Sequence, residues 1–213
     1  MKRWILIATL VFFGIAVGLA SKNPAVHHFN VSISQTLQSV QPGWLININV
    51  ATIVFEYIMV ILWLPICLYL FVKGRRKEAL LFLLAGSAWF VTRILKWAFQ
   101  LPCPAPPEVA YLYPYAQLSE LLRALTKNAV ILNAAVCYPS GHVFNFISFW
   151  GMLFVLKDSI SKTKWIKKGI TLVSVVLITL IGESLVAVGG HWFTDVVGGY
   201  LFGFAWLLGI RSL

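Results

Sequence analysis

The chain has little charge. Asp, Glu, Lys and Arg together make up 11% of its 213 residues, while 60% are hydrophobic. A soluble domain carries about 25% charged and 45–50% apolar residues, so an ordinary water-soluble globular protein is excluded. Acidic residues are scarcer than basic ones, seven Asp and Glu against 17 Lys and Arg, giving a formal net charge of +10. The basic residues stand between hydrophobic segments, which reads as membrane topology and contact with anionic headgroups, and no nucleic-acid partner is expected. Cysteines number three, an odd count without metal-ligand spacing. Cys67 falls inside an apolar run and reads as a small hydrophobe. Cys103 and Cys137 share one long polar-facing segment, and spacing leaves open whether they pair. Internal repeats and low-complexity linkers are absent, as is the alternation of a membrane barrel.

What the chain has instead is long apolar runs. Unbroken runs point to helices, because lipid offers no hydrogen-bond partners to an open backbone. Six stretches suit spans of about 20 residues: Trp4 to Leu19, Ile53 to Val72, Leu80 to Phe99, Val143 to Leu156, Ile170 to Val188, and Phe193 to Ile210. The fourth reaches full length if it starts near Ser140. The expected fold class is therefore all-α, a polytopic membrane protein with six transmembrane helices in one bundle, residues 1–213 forming a single domain. Lys2 and Arg3 before the first run, and Gly18-Leu19-Ala20-Ser21 after it, resemble a cleavable signal; the segment is read as a retained anchor.

If the spans alternate, Lys2, Arg3, the Lys73–Lys77 group, the lysines of 157–168 and Arg211 fall on one side. Positive charge marks the cytoplasmic face, so the opposite side faces the periplasm or exterior of a bacterial or archaeal cell membrane. On that outer side lies the segment of about 100–138, where residues 118–127 have helical apolar spacing and read as a short interfacial helix. A role for that helix in a lipid gate is the alternative.

The outer side also gathers the polar residues capable of chemistry. His191 and Asp195 are four residues apart, one helical turn on one face. A carboxylate so placed fixes the imidazole tautomer and leaves the other ring nitrogen free to attack. In Pro139-Ser140-Gly141-His142, Ser140 is a good helix cap, and the backbone N–H groups behind it suit an anion. Taken alone, each motif also fits a capped helix end with a stray histidine. Lys96 and, one turn earlier, Arg93 lie near the outer end of the third span and are candidate phosphate ligands, snorkelling being the plain alternative. Glu56 near the start of the second span reads as an interfacial carboxylate, or, with Arg93 and Lys96, as part of a translocation path.

The order of these residues resembles the type 2 phosphatidic acid phosphatase superfamily, which is related to the vanadium haloperoxidases. That family's pattern is K-x6-RP, then PSGH, then SR-x5-H-x3-D, and the likeness runs from the third span to the last. The resemblance implies Lys96, Ser140 and Gly141 as phosphate ligands and His142 as the acid that protonates the leaving group. It implies His191 as the nucleophile that becomes phosphohistidine, Asp195 as its orienting carboxylate, and Ser184 as the serine of the third motif. Two positions depart from it: Cys103 and Leu185 stand where the family has phosphate-gripping arginines. Neither reproduces a bidentate guanidinium fork; Arg93, Arg123 or Lys127 are possible substitutes.

The expected function is a membrane lipid phosphatase acting on a phospholipid or isoprenoid phosphate or diphosphate, without metal or cofactor. Three alternatives compete. One is headgroup transfer on a phosphodiester, similar to sphingomyelin synthases; the others are a non-catalytic lipid binder and a transporter.

Overall fold

The structure is a computed structural model that describes residues 2–112 and 136–213. In chain order it comprises α1 (Lys2–Ala20), α2 (Pro24–Ser39), α3 (Gly43–Val72), α4 (Arg76–Gly86) and α5 (Ala88–Phe99). After the loop come α6 (Gly141–Phe146), a π-helical segment (Ile147–Gly151), α7 (Met152–Ile160), α8 (Lys164–Ala187) and α9 (Phe193–Ile210). Among the described residues six units are long and apolar enough to cross a membrane: α1, α3, α4 with α5, α6 through α7, α8 and α9. The all-helical class and the six spans thus agree with the sequence. The helix expected at 118–127, with Arg123 and Lys127, lies outside the described residues.

Three departures from the sequence reading have a physical reason in the structure. Helix α3 begins at Gly43 rather than Ile53. The asparagines that interrupt the apolar pattern there do not stop it, because Asn49 is buried and bonded to Gln41 Oε1 at 3.0 Å. The third span is broken at Ser87, which ends α4 and starts α5, its hydroxyl donating to the Leu84 carbonyl at 2.7 Å. Helix α2 was not expected. Its start signal is plain in retrospect, with Asn23 as N-cap accepting from Ala25 N and Pro24 at the first position. Its buried face is polar, Asn30 and Ser34, which hides it from an apolar-periodicity search.

One large apolar cluster joins α3, α4, α6 to α9 and the π-helical segment around Phe82, Phe146, Phe149, Met152 and Ile181. A smaller one surrounds Tyr138 with Ala88, Leu101, Phe144 and Phe202. Helix α1 belongs to this second cluster: Gly14 packs against the Phe202 ring, and the Tyr138 hydroxyl donates to the Gly14 carbonyl. Arg3 reaches Ser212 at 3.5 Å, so both termini meet at one end of the bundle.

Candidate active site

Three pieces of chain converge at the other end. The first is the turn between α8 and α9, where Gly189 takes φ +82°, a left-handed conformation that suits glycine. A Cβ there would also stand 2.4 Å from the Ala110 carbonyl oxygen. The turn brings Gly190 N and His191 N back onto the Leu185 carbonyl, at 2.8 and 3.1 Å. His191 is thereby held at the mouth of α9 and is 3% exposed.

Asp195, on the first turn of α9, does two jobs with one oxygen. Its Oδ2 lies 3.2 Å from His191 Nδ1 and accepts from Trp192 N at 3.0 Å, closing the start of the helix. A carboxylate there accepts a hydrogen bond from Nδ1–H and leaves the Nε2 lone pair open. Burial holds the His191 imidazole well below the usual histidine range, and the neighbouring Lys96 ammonium and His142 act in the same direction. The ring is therefore neutral.

The second piece is the Pro139-Ser140-Gly141-His142 segment. Ser140 is fully buried and caps α6, its Oγ accepting from Val143 N at 3.5 Å while its own N–H donates to the Asp195 carbonyl at 2.9 Å. That last bond ties the two motifs together. So does Gly199 of α9, where a Cβ would lie 2.9 Å from both the Ser140 carbonyl oxygen and Val143 Cβ. By contrast, a Cβ on Gly141 would meet only Thr92 Oγ1, at 3.8 Å, leaving room beside His142. The His142 and His191 rings stand edge to face with centroids 5.6 Å apart.

The third piece is α5 with the segments that flank residues 113–135. Lys96 Nζ donates to the Val136 carbonyl at 3.1 Å, next to Cys137, which is joined to Cys103 by a disulfide. Leu101 O accepts from Cys137 N, and Pro102 O accepts from Trp192 Nε1, so the loop ends are pinned to the His191 turn. Ligand atoms of Cys137, His191 and Asp195 all lie within 4.8 Å of one another. With its sulfur in a disulfide, Cys137 offers no thiolate, and the group does not make a metal site.

Of the expected site residues, the structure brings His191, Asp195, His142, Ser140, Gly141 and Lys96 together. Arg93 lies with its guanidinium 4.7 Å from the Trp89 ring centroid. Ser184 is fully buried, and its Oγ donates to Asn49 Oδ1 at 3.1 Å. That bond starts a chain through Gln41 to Glu183 that stitches α3 to α8. Leu185 is fully buried in the large apolar cluster.

One residue has partners that sequence reasoning did not supply. Glu56 is not a lone carboxylate. Its Oε2 lies 3.1 Å from His142 Nε2 and its Oε1 accepts from Asn145 Nδ2 at 2.7 Å. The one available signal was its isolation, a single charged residue in the long apolar stretch 43–72.

The model of the PAP2 superfamily matches residues 76–213. A comparison with curated proteins gives no match. Among solved structures, a transmembrane PAP2 type phosphatidylglycerolphosphate phosphatase from Bacillus subtilis is similar at 20% sequence identity and a TM-score of 0.75, over 97% of this chain and 94% of that one. At that identity the likeness is one of fold.

Proposed function

The chain belongs to the PAP2 superfamily, and from that membership we propose that it is a membrane lipid phosphatase working through a phosphohistidine at His191. The observation that carries this reading is the pair of imidazoles 5.6 Å apart, one of them buried and oriented by Asp195. In the first step His191 Nε2 attacks phosphorus, the P–N bond forms, and the P–O bond to the lipid breaks. His142 gives a proton to the departing oxygen. In the second step water gives a proton to His142 as its oxygen attacks phosphorus, and the P–N bond breaks. Lys96 and the backbone N–H groups behind Ser140 stabilise the charge that develops on the phosphoryl oxygens.

The substrate is a lipid phosphate or diphosphate, with phosphatidylglycerol phosphate, the lipid named for the similar fold, among those to assay. The basic segments at the opposite end of the bundle support an active site on the outer face. A second reading, headgroup transfer from a phosphodiester, is favoured by one observation. The two arginine positions of the family pattern hold the disulfide-bonded Cys103 and the core residue Leu185, and a less charged phosphorus needs less positive charge.

The test is a panel of phosphomonoester, diphosphate and phosphodiester lipids, followed for both phosphate release and headgroup exchange. The phosphatase reading expects release from monoesters or diphosphates. It also expects an acid-labile, base-stable phosphoprotein that His191→Ala abolishes. Exchange on diesters alone would favour the transferase; no reaction, with no trapped phosphohistidine, would sink both.

A further inference from the structure

Helix α3 spends its charge at one point. Glu56 is its single charged residue, on an otherwise apolar membrane-spanning helix, and a carboxylate at such a place is costly unless it is paired and put to use. Both of its oxygens are occupied, one at 3.1 Å from His142 Nε2 and the other at 2.7 Å from Asn145 Nδ2. His142 and Asn145 are three residues apart on α6 and so present neighbouring side chains to α3. Asn145 donates and fixes the carboxylate; the carboxylate in turn fixes the ring.

We propose that Glu56 is the positioning residue of the acid–base histidine, doing for His142 what Asp195 does for His191. This rests on the phosphatase reading above. The two pairs use opposite ring nitrogens. Asp195 holds His191 by Nδ1 and frees Nε2; Glu56 holds His142 by Nε2 and frees Nδ1. A carboxylate can only accept, so Nε2 of His142 keeps its proton throughout and Nδ1 carries the traffic. The Nδ1 proton passes to the lipid oxygen as the P–O bond breaks, and Nδ1 takes a proton from water in the hydrolytic step. While His142 is doubly protonated, the Glu56 charge balances it in a setting where the rest of α3 supplies none.

The test uses full-length protein in lipid nanodiscs with two substrates: a lipid phosphate, whose alkoxide must be protonated to leave, and p-nitrophenyl phosphate, whose phenoxide leaves unaided. General acid catalysis is worth about 10²–10⁴-fold. Glu56→Gln is therefore expected to slow formation of the phosphohistidine from the lipid by about 10²-fold or more, and to spare largely the first-turnover release of p-nitrophenolate, the step that needs no acid. Glu56→Asp is expected to recover part of the loss. Glu56→Gln and His142→Ala combined should be no worse than His142→Ala alone, as for residues acting as a unit. An equal loss in this first step on both substrates, an unchanged first step on the lipid, or additive losses overturns the proposal.

The ring can also be read without turnover. In protein carrying 15N-histidine, the His142 signal is expected to report a proton fixed on Nε2 in the parent and a mixture of tautomers in Glu56→Gln. The same tautomer mixture in both proteins rejects the positioning role even if no lipid substrate is ever hydrolysed. A fixed tautomer in a protein inert to every lipid leaves Glu56 in place and rejects the phosphatase reading alone.

Discussion

Cys137 is bonded to Cys103 and lies with its sulfur within 4.8 Å of the ring and carboxylate ligand atoms of His191 and Asp195. The disulfide thus stands beside the His191–Asp195 pair, with Cys103 at the position where the family pattern has the first of its two arginines. It closes a loop with a sequence separation of 34 residues and fixes the carbonyl of Val136 to which Lys96 donates.

Reduction of this disulfide, or Cys103→Ser with Cys137→Ser, is expected to lower stability by about 2–4 kcal/mol. Activity should fall as well, because the Lys96 ammonium loses a fixed partner. Thermal unfolding of purified protein with and without reductant measures the first effect, and phosphate release at saturating substrate the second. An unchanged melting temperature would show that the loop ends are held by other bonds.

Asp195→Asn keeps the shape of the side chain but removes the carboxylate that fixes the proton on His191 Nδ1. A wrong-tautomer imidazole costs about 10⁴ in kcat where a comparable carboxylate–histidine pair has been changed this way. A loss of that order is expected here, with KM little altered. Asp195→Ala should add a stability loss of about 1 kcal/mol, because it also removes the acceptor for Trp192 N at the start of α9. Steady-state kinetics and thermal unfolding of the two variants separate the effects. Equal stability of Asn and Ala variants would contradict the capping role.

Most of the fold and the core of the site were legible in the sequence because both follow local rules. Span length and apolarity are set by the bilayer, and His191 with Asp195, or Ser140 with Gly141 and His142, are neighbours along the chain. Glu56 was illegible because its partner is on another helix, 86 positions away in sequence from His142 by their numbers. Helix α2 was missed because it buries asparagine and serine rather than leucine. Ser184 carried a family role on paper, yet its hydroxyl is engaged by Asn49, a residue no spacing rule connects to it.

That engagement has a measurable consequence. Ser184→Ala is expected to destabilise the protein by about 1 kcal/mol, the usual net worth of a hydrogen bond, with some addition for the stranded Asn49 oxygen. KM for lipid phosphate should be unchanged within about twofold. Asn49→Ala should behave alike, and the double variant should lose less than the sum. A large rise in KM from Ser184→Ala alone would instead assign its hydroxyl to the phosphate.

The buried His191 ring gives stability a pH dependence of definite sign. The denatured chain protonates His191 near the ordinary value of about 6.5, whereas the native protein holds the ring neutral well below it. Below about pH 6.5 the denatured state therefore binds more protons at this residue, and stability falls as pH falls. His191→Asn, uncharged at every pH, should flatten that part of the profile. Thermal unfolding between about pH 5 and 8, with the parent and variant compared, measures it. Parallel profiles would mean that the native ring protonates as readily as the unfolded one.

Two glycines of the site should separate packing from binding. At Gly199 a Cβ would press on the Ser140 carbonyl oxygen and Val143 Cβ, both at 2.9 Å. Neither atom can give way without moving the segment that carries His142. Gly199→Ala is therefore expected to cost about 1–3 kcal/mol of stability and to lower kcat with it. At Gly141 the nearest atom to a Cβ is Thr92 Oγ1 at 3.8 Å, ordinary contact, so Gly141→Ala should fold as well as the parent. Its methyl would occupy space next to His142 that the phosphoryl group needs, raising KM or abolishing turnover without a matching loss of stability. Thermal unfolding and kinetics on the pair decide the matter: if Gly141→Ala hydrolyses lipid phosphate like the parent, phosphate does not approach the backbone there, and the anion-binding role given to that turn fails.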